Sequence, residues 1–309
     1  MATVSTTRAP VSARHGITPL RRSQARTAWL LALPFLLLFA AFTIGPVLAS
    51  LLMSFTDMRS ADLRSPLAVD FAGISNYTDL FADPLFRKVA VNTAIFVVVG
   101  VPLTMALALA AAVGLNGITR VRSFFRLGYY LPVITSIVAV AVVWRFLLQP
   151  DTGPINQLLG LVGVDGPNWL ESTTLALPTL IVMTTWRNLG YLMVIFLAGL
   201  QTVPREMLEA AEVDGAGRWQ RFRYVTLPIM RPTLLFGAVI TSIGYLQFFE
   251  EPFVMTQGGP LDATRSVAMY VYDQFGFGNY GFATAASYVL FVAIAALTFV
   301  LFRALQPRE

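Results

Sequence analysis

Glu250 and Glu251 are adjacent carboxylates, His15 is the sole histidine and Lys88 the sole lysine of the 309-residue chain. These few groups bound the reaction chemistry open to it. Neighbouring positions on a helix point in different directions, so the two glutamates do not form a facing acid–base dyad. His15 stands in a polar, arginine-rich arm, which leaves neither a Ser–His–Asp arrangement nor a His-Glu-x-x-His metal helix. Lys88 follows Arg87 instead of a glycine-rich phosphate loop, so no Walker A segment is present to bind and hydrolyse ATP. There is no cysteine, which excludes disulfides and thiolate metal sites. The expectation is no catalytic constellation, no metal site and no cofactor held by this chain.

The polar groups that remain lie in an unusually apolar setting. The chain is 56% hydrophobic and 13% charged, with a mean hydropathy of +0.66. A soluble chain carries about 25% charged residues, so this one belongs in a bilayer. Apolar runs near twenty residues then mean helices, not the alternating strands of a barrel. Within a bilayer, polar side chains are costly and face a bundle interior or a wet cavity. Trp186, Arg187, Asn188 and Tyr191 sit in one apolar run, and Tyr245, Gln247 and Glu250 in the next. Aromatic faces beside amides suit a sugar, which offers apolar C–H faces and hydroxyls needing partners. Trp186, Asn188, Tyr191, Tyr245, Gln247 and Glu250 are therefore the expected substrate path. The competing reading makes Trp186 and the tyrosines packing or interface anchors and pairs Arg187 with Glu250. Asn92 is expected to hydrogen-bond across helices.

Six apolar runs position these residues: 27–55, 89–113, 127–148, 175–200, 228–253 and 282–302. The first is far longer than the about 7–15 apolar residues of a signal peptide and is expected to be retained. Residues 1–26 form a basic arm expected to be disordered, 27–303 the membrane domain and 304–309 a short tail. The fold class is thus all-α, a polytopic membrane protein of six transmembrane helices. Orientation follows from charge. With both termini in the cytoplasm, fifteen of the 22 basic residues fall on the cytoplasmic side, as the positive-inside rule requires. The same asymmetry accounts for the net charge of +5 without nucleic acid.

The longest polar interruption of the second half lies between the fourth and fifth runs, within 201–228. Pro204 suits a first helical turn, and Glu206, Glu209 and Glu212 recur every third residue on roughly one face. Ala210 and Ala211 leave a low surface, and Asp214-Gly215 ends the helix with a residue that adopts the left-handed backbone easily. A second short helix carries Trp219 and Phe222 among Arg218, Arg221 and Arg223 and leads to Leu227-Pro228. By itself this is either an amphipathic interfacial helix with Trp219 at the headgroups or an elbow gripped from outside the membrane.

Glu209-Ala210-Ala211, then Gly215, then Val225-Thr226-Leu227-Pro228 resembles the "EAA" loop of binding-protein-dependent ABC importer permeases, with Val225 where isoleucine is usual. Four further segments resemble the carbohydrate-uptake branch, and in particular the maltose and glycerol-3-phosphate permease subunits. They are residues 71–77; Trp186-Arg187-Asn188-Leu189-Gly190-Tyr191 ahead of Leu197-Ala198-Gly199-Leu200; Tyr130-Leu131-Pro132; and Gln257-Gly258-Gly259-Pro260 with Thr264. The resemblance implies a non-catalytic transport subunit of a bacterial plasma (inner) membrane importer for a sugar or sugar-like solute. Its implied partners are a homologous second permease, two cytoplasmic ATPases that bind the ATP and magnesium, and an extracytoplasmic solute-binding protein. Glu209, Ala210, Ala211, Asp214 and Gly215 become the ATPase-docking residues of a cytoplasmic coupling elbow. The alternative is an ion-coupled secondary transporter working without an ATPase.

Overall fold

The structure is a computed structural model that describes residues 19–64, 69–117 and 122–305. The arm up to residue 18, Arg120 and Arg308 lie outside the described residues. Those described are mostly helical, with one isolated β-bridge between Thr56 and Phe71 and no strand among them.

The chain divides into two units. The first, residues 1–52, is built on helix α1 (Pro19–Phe39), a π-helical turn at Ala40–Ile44 and helix α2 (Gly45–Met53). Leu30, Leu37, Phe42 and Leu52 are among its many exposed apolar side chains, as befits a helix whose solvent is acyl chain.

The second unit holds the remaining helices. They are α3 (Ser75–Ala82), α4 (Pro84–Asn116), α5 (Arg122–Ile134), α6 (Ile137–Leu147), α7 (Pro154–Leu161) and α8 (Ala176–Gln201). After these come α9 (Arg205–Val213), α10 (Arg218–Arg221), α11 (Leu227–Ile229), α12 (Arg231–Leu246), α13 (Glu250–Met255), α14 (Val267–Gly276) and α15 (Tyr280–Leu305). Among the described residues, four helical stretches are long and apolar enough to cross a membrane: Thr27–Met53, Pro84–Asn116, Ala176–Gln201 and Tyr280–Leu305. Two bent pairs, Ser123–Ile134 with Ile137–Leu147 and Arg218–Ile229 with Arg231–Leu246, raise the number to six if each is one crossing.

The first bend departs from the sequence expectation of one run over 127–148. The two halves meet at 98°. Pro132 lacks the N–H that would continue the ladder, and Ser136 leaves helical geometry with ψ 130° before α6 restarts. Pro102, by contrast, is accommodated inside a continuous α4. α4 opens on Pro84, and the Asp83 side chain accepts the Leu85 amide at 2.8 Å, which supplies a partner for one of the first-turn donors.

α8 is the central helix of this unit. It lies against α4 and α5, while α12 lies against α4 and α15. Ala108 and Ala112 of α4 are fully buried against Leu192, Met193, Phe196 and Leu197 of α8, small residues letting the two helices approach. Gly190 faces the Tyr129 carbonyl of α5 so closely that a Cβ there would sit on it. Phe96, Leu180, Met183 and Tyr245 form a second apolar cluster.

One more expectation is corrected in the segment between α13 and α14. Asn92 donates to the carbonyls of Asp262 (2.8 Å) and Arg265 (3.0 Å), tying α4 to this loop and not to another helix. The reason is that the loop folds back over the first turns of α4, where Thr93 Oγ1 also accepts the Val267 amide at 3.1 Å.

Candidate functional site

Thr184, Arg187, Asn188, Tyr191 and Leu192 recur at three- and four-residue spacing on α8, which gathers them into one stripe. Opposite stand Thr241, Gly244 and Tyr245 of α12. The chain then breaks from helix after Leu246, so that Gln247 and Phe248 precede α13 and Glu250 and Glu251 occupy its first turn. Between these two walls is a cavity of about 390 Å³, within the range of small-molecule sites. Phe96 forms part of its lining and stacks on Phe248 with ring centroids 3.9 Å apart and planes within 1°.

Five of the six residues expected on the substrate path line this cavity: Asn188, Tyr191, Tyr245, Gln247 and Glu250. Trp186 does not. It lies outward of the stripe, 45% exposed, against Trp144 with centroids 5.7 Å apart. Tyr245 combines both readings of the sequence. Its side chain is almost wholly buried and its hydroxyl lies 2.6 Å from Thr104 Oγ1, which is 3.0 Å from Thr185 Oγ1. The protein itself therefore satisfies that hydroxyl, and Tyr245 contributes its ring. Arg187 makes no ion pair with Glu250 or Glu251, and its buried Nε has no hydrogen-bond partner among the described residues.

Sequence reasoning missed Glu251, Thr184, Thr241 and Phe248. Helical direction argued against Glu250 and Glu251 forming a facing acid–base dyad, and it gave no reason to add Glu251 to the path, yet both line the cavity. The break at 247–249 sets them at the start of a new short helix, and the period of α12 carries no information about that. Glu250 is exposed and Glu251 buried. The cavity thus offers cation, carboxylate, amide and aromatic groups together, a set suited to hydroxyl-rich ligands and lacking any nucleophile–base pair. No three His, Cys, Asp or Glu side chains converge on a metal position among the described residues.

The second site is the polar segment after α8. Pro204 stands as the N-cap of α9, one residue ahead of the first turn. α9 contains no buried residue: Glu206, Glu209, Ala210, Glu212 and Asp214 are exposed and Ala211 is half-buried. Gly215 has φ +83°; its amide donates to the Glu212 carbonyl at 3.0 Å, and the Ala216 amide to the Ala211 carbonyl at 2.9 Å. That pair of bonds is the Schellman closure of a helix, in which the left-handed position favours glycine. Beyond it Gly217 donates its amide to Gln220 Oε1 at 2.8 Å to start α10. Arg221 of α10 pairs with Glu212 of α9, which ties the two arms together.

The family described as binding-protein-dependent transport system inner membrane component matches residues 30–309. The lactose transport system permease protein LacF of Rhizobium radiobacter is 35% identical, covering 94% of this chain and 97% of that protein. The probable ABC transporter permease protein YesP of Bacillus subtilis is 38% identical, covering 87% of each chain. Among solved structures, a bacterial ABC transporter involved in the import of the acidic polysaccharide alginate superposes with a TM-score of 0.76. It is 25% identical and covers 93% of this chain and 98% of its own. A match over nearly the whole length, joined to an apolar helical body, places the chain in that family: it is an inner-membrane component of a binding-protein-dependent transport system.

Proposed function

We propose that this chain is the membrane-spanning subunit of an ATP-driven importer for a sugar or sugar-like solute, forming half of the path. The observation that carries the reading is the polar, aromatic-floored cavity between α8 and α12, which draws together residues that the sequence singles out separately. Relatives named for lactose transport support the sugar. An ion-coupled carrier that needs no ATPase is not favoured, since the relatives are ABC permeases.

In this reading the domain of residues 27–303 crosses the membrane six times, with both termini and the elbow at 201–228 in the cytoplasm. A second, homologous permease completes the path, and an extracytoplasmic binding protein delivers the solute. Two ATPase subunits hold the ATP and magnesium and grip α9. Glu209 anchors them by charge or hydrogen bonding, Ala210 and Ala211 admit their close approach, and Asp214 and Gly215 set the turn. Closure of the ATPases then swings α9 as a lever. Each lever position stabilises one orientation of the α8–α12 cavity, so nucleotide binding shifts the population between inward- and outward-facing states.

The test is reconstitution. Vesicles carrying this chain with its companion permease, ATPases and binding protein should accumulate solute only with nucleotide. Accumulation by the chain alone overturns the reading.

A further inference from the structure

The second arm of the elbow carries chemistry that the transport reading leaves unused. Arg218–Ile229 is bent by 69° from Arg231–Leu246. With α12 crossing the bilayer, a bend of that size lays the segment close to the membrane plane, over roughly 18 Å at the helical rise per residue. Phe222, Val225 and Ile229 are half-buried, whereas Trp219 and Tyr224 are 71% and 74% exposed. Indole and phenol rings of that exposure fit the headgroup belt better than bulk water. Arg221 is occupied by Glu212, but Arg218 and Arg223 are exposed and have no carboxylate partner among the described residues.

The elbow also sorts its charge. α9 presents Glu206 and Glu209 exposed and without an ion-pair partner among the described residues, while the segment after Gly217 presents arginine and aromatic side chains. A negatively charged leaflet attracts the second arm and repels the first. Guanidinium groups beside interfacial aromatics match one ligand class closely, the phosphodiester of an acidic phospholipid.

We infer that Arg218 and Arg223, with Trp219 and Tyr224, bind acidic phospholipid headgroups of the cytoplasmic leaflet, holding the basic arm on the membrane while the acidic arm stands off it. The inference rests on the cytoplasmic placement of the elbow. It adds a lipid to the partners of this chain and, through the Arg221–Glu212 pair that ties the two arms together, gives the whole elbow a footing on the leaflet.

The experiment uses the assembled transporter in phosphatidylcholine nanodiscs containing either phosphatidylglycerol or phosphatidylcholine brominated near the top of the acyl chains. Quenching of Trp219 is isolated as the difference from Trp219→Phe. Each arginine near an anionic surface contributes roughly five-fold in affinity, so the pair should favour phosphatidylglycerol about 25-fold. The preference should vanish in Arg218→Gln/Arg223→Gln and shrink at high salt. Equal quenching by both lipids, or an undiminished preference in the double variant, overturns the inference. So does loss of the ATPases from the double variant in pure phosphatidylcholine, which would make this arm a protein contact. Because the chain has no cysteine, Val213→Cys labels the elbow cleanly, its parent side chain being 88% exposed. Labelling of this variant in intact cells by a thiol reagent that cannot cross the membrane would sink the cytoplasmic placement, a failure distinct from that of the lipid contact.

Discussion

Replacing Gly215 tests the elbow through backbone geometry alone. Its φ is +83°, and a Cβ built on it meets nothing within 4 Å, so a small side chain creates no clash within the chain. The cost is that of holding an L-residue in the left-handed region, about 1–2 kcal/mol for alanine. That is a factor of roughly 5–30 in the population of the closed turn. Asparagine enters this region more readily, and a β-branched residue least readily of all. Solute uptake and ATP hydrolysis by reconstituted transporter, at matched abundance, should therefore fall in the order Gly215→Asn, Gly215→Ala, Gly215→Val. Wild-type uptake by Gly215→Val would refute the reasoning. Equal losses in all three variants would also refute it, by showing that added bulk against a partner, and not the turn, sets the effect.

Other variants separate cavity from scaffold. Asn188→Ala and Gln247→Ala should each weaken solute-dependent uptake several-fold while basal ATP hydrolysis persists, whereas Trp186→Phe, outside the cavity lining, should transport normally. Gly190→Ala places a methyl group on the Tyr129 carbonyl; overpacking of this kind costs about 1–3 kcal/mol, seen as a lower unfolding temperature of the purified chain in detergent. Burial holds the Asp273 carboxyl of α14 above the usual range, against the opposing pull of the Arg265 guanidinium. The folded state then keeps that proton to higher pH than the unfolded chain, so its contribution to stability falls as pH rises through that interval. Asp273→Asn should flatten the dependence, measured as unfolding temperature against pH.

How much was legible beforehand differs between the two sites. At the elbow, the spacing from Glu209 to Gly215 foretold a helix ended by a left-handed glycine, and the hydrogen bonds of Gly215 and Ala216 have that form. Such features depend on neighbours within five residues, which is why sequence order suffices to read them. At the cavity, the polar residues within apolar runs identified Asn188, Tyr191 and Gln247, because a polar group in a bilayer must find company. The same argument could not exclude Trp186, since the direction in which a helix faces depends on what it packs against. Nor could it find Glu251, which enters the cavity only because α12 stops at Leu246. The run over 127–148 hid a 98° bend for a similar reason: Pro132 signals a weakness in the ladder, and the surrounding helices decide the angle.

The order of residues alone determined that this chain lives in a membrane and roughly where its apolar runs lie. Composition and local backbone preference act through near neighbours and are written directly in the sequence. Tertiary structure alone decided which polar side chains share one cavity, which hydroxyls the protein satisfies internally, and that Arg187 and Glu251 line a common space without forming an ion pair. Those outcomes depend on contacts between α4, α8 and α12, with residues 81 and 141 positions apart, whose mutual rotation is fixed by packing and by no local rule.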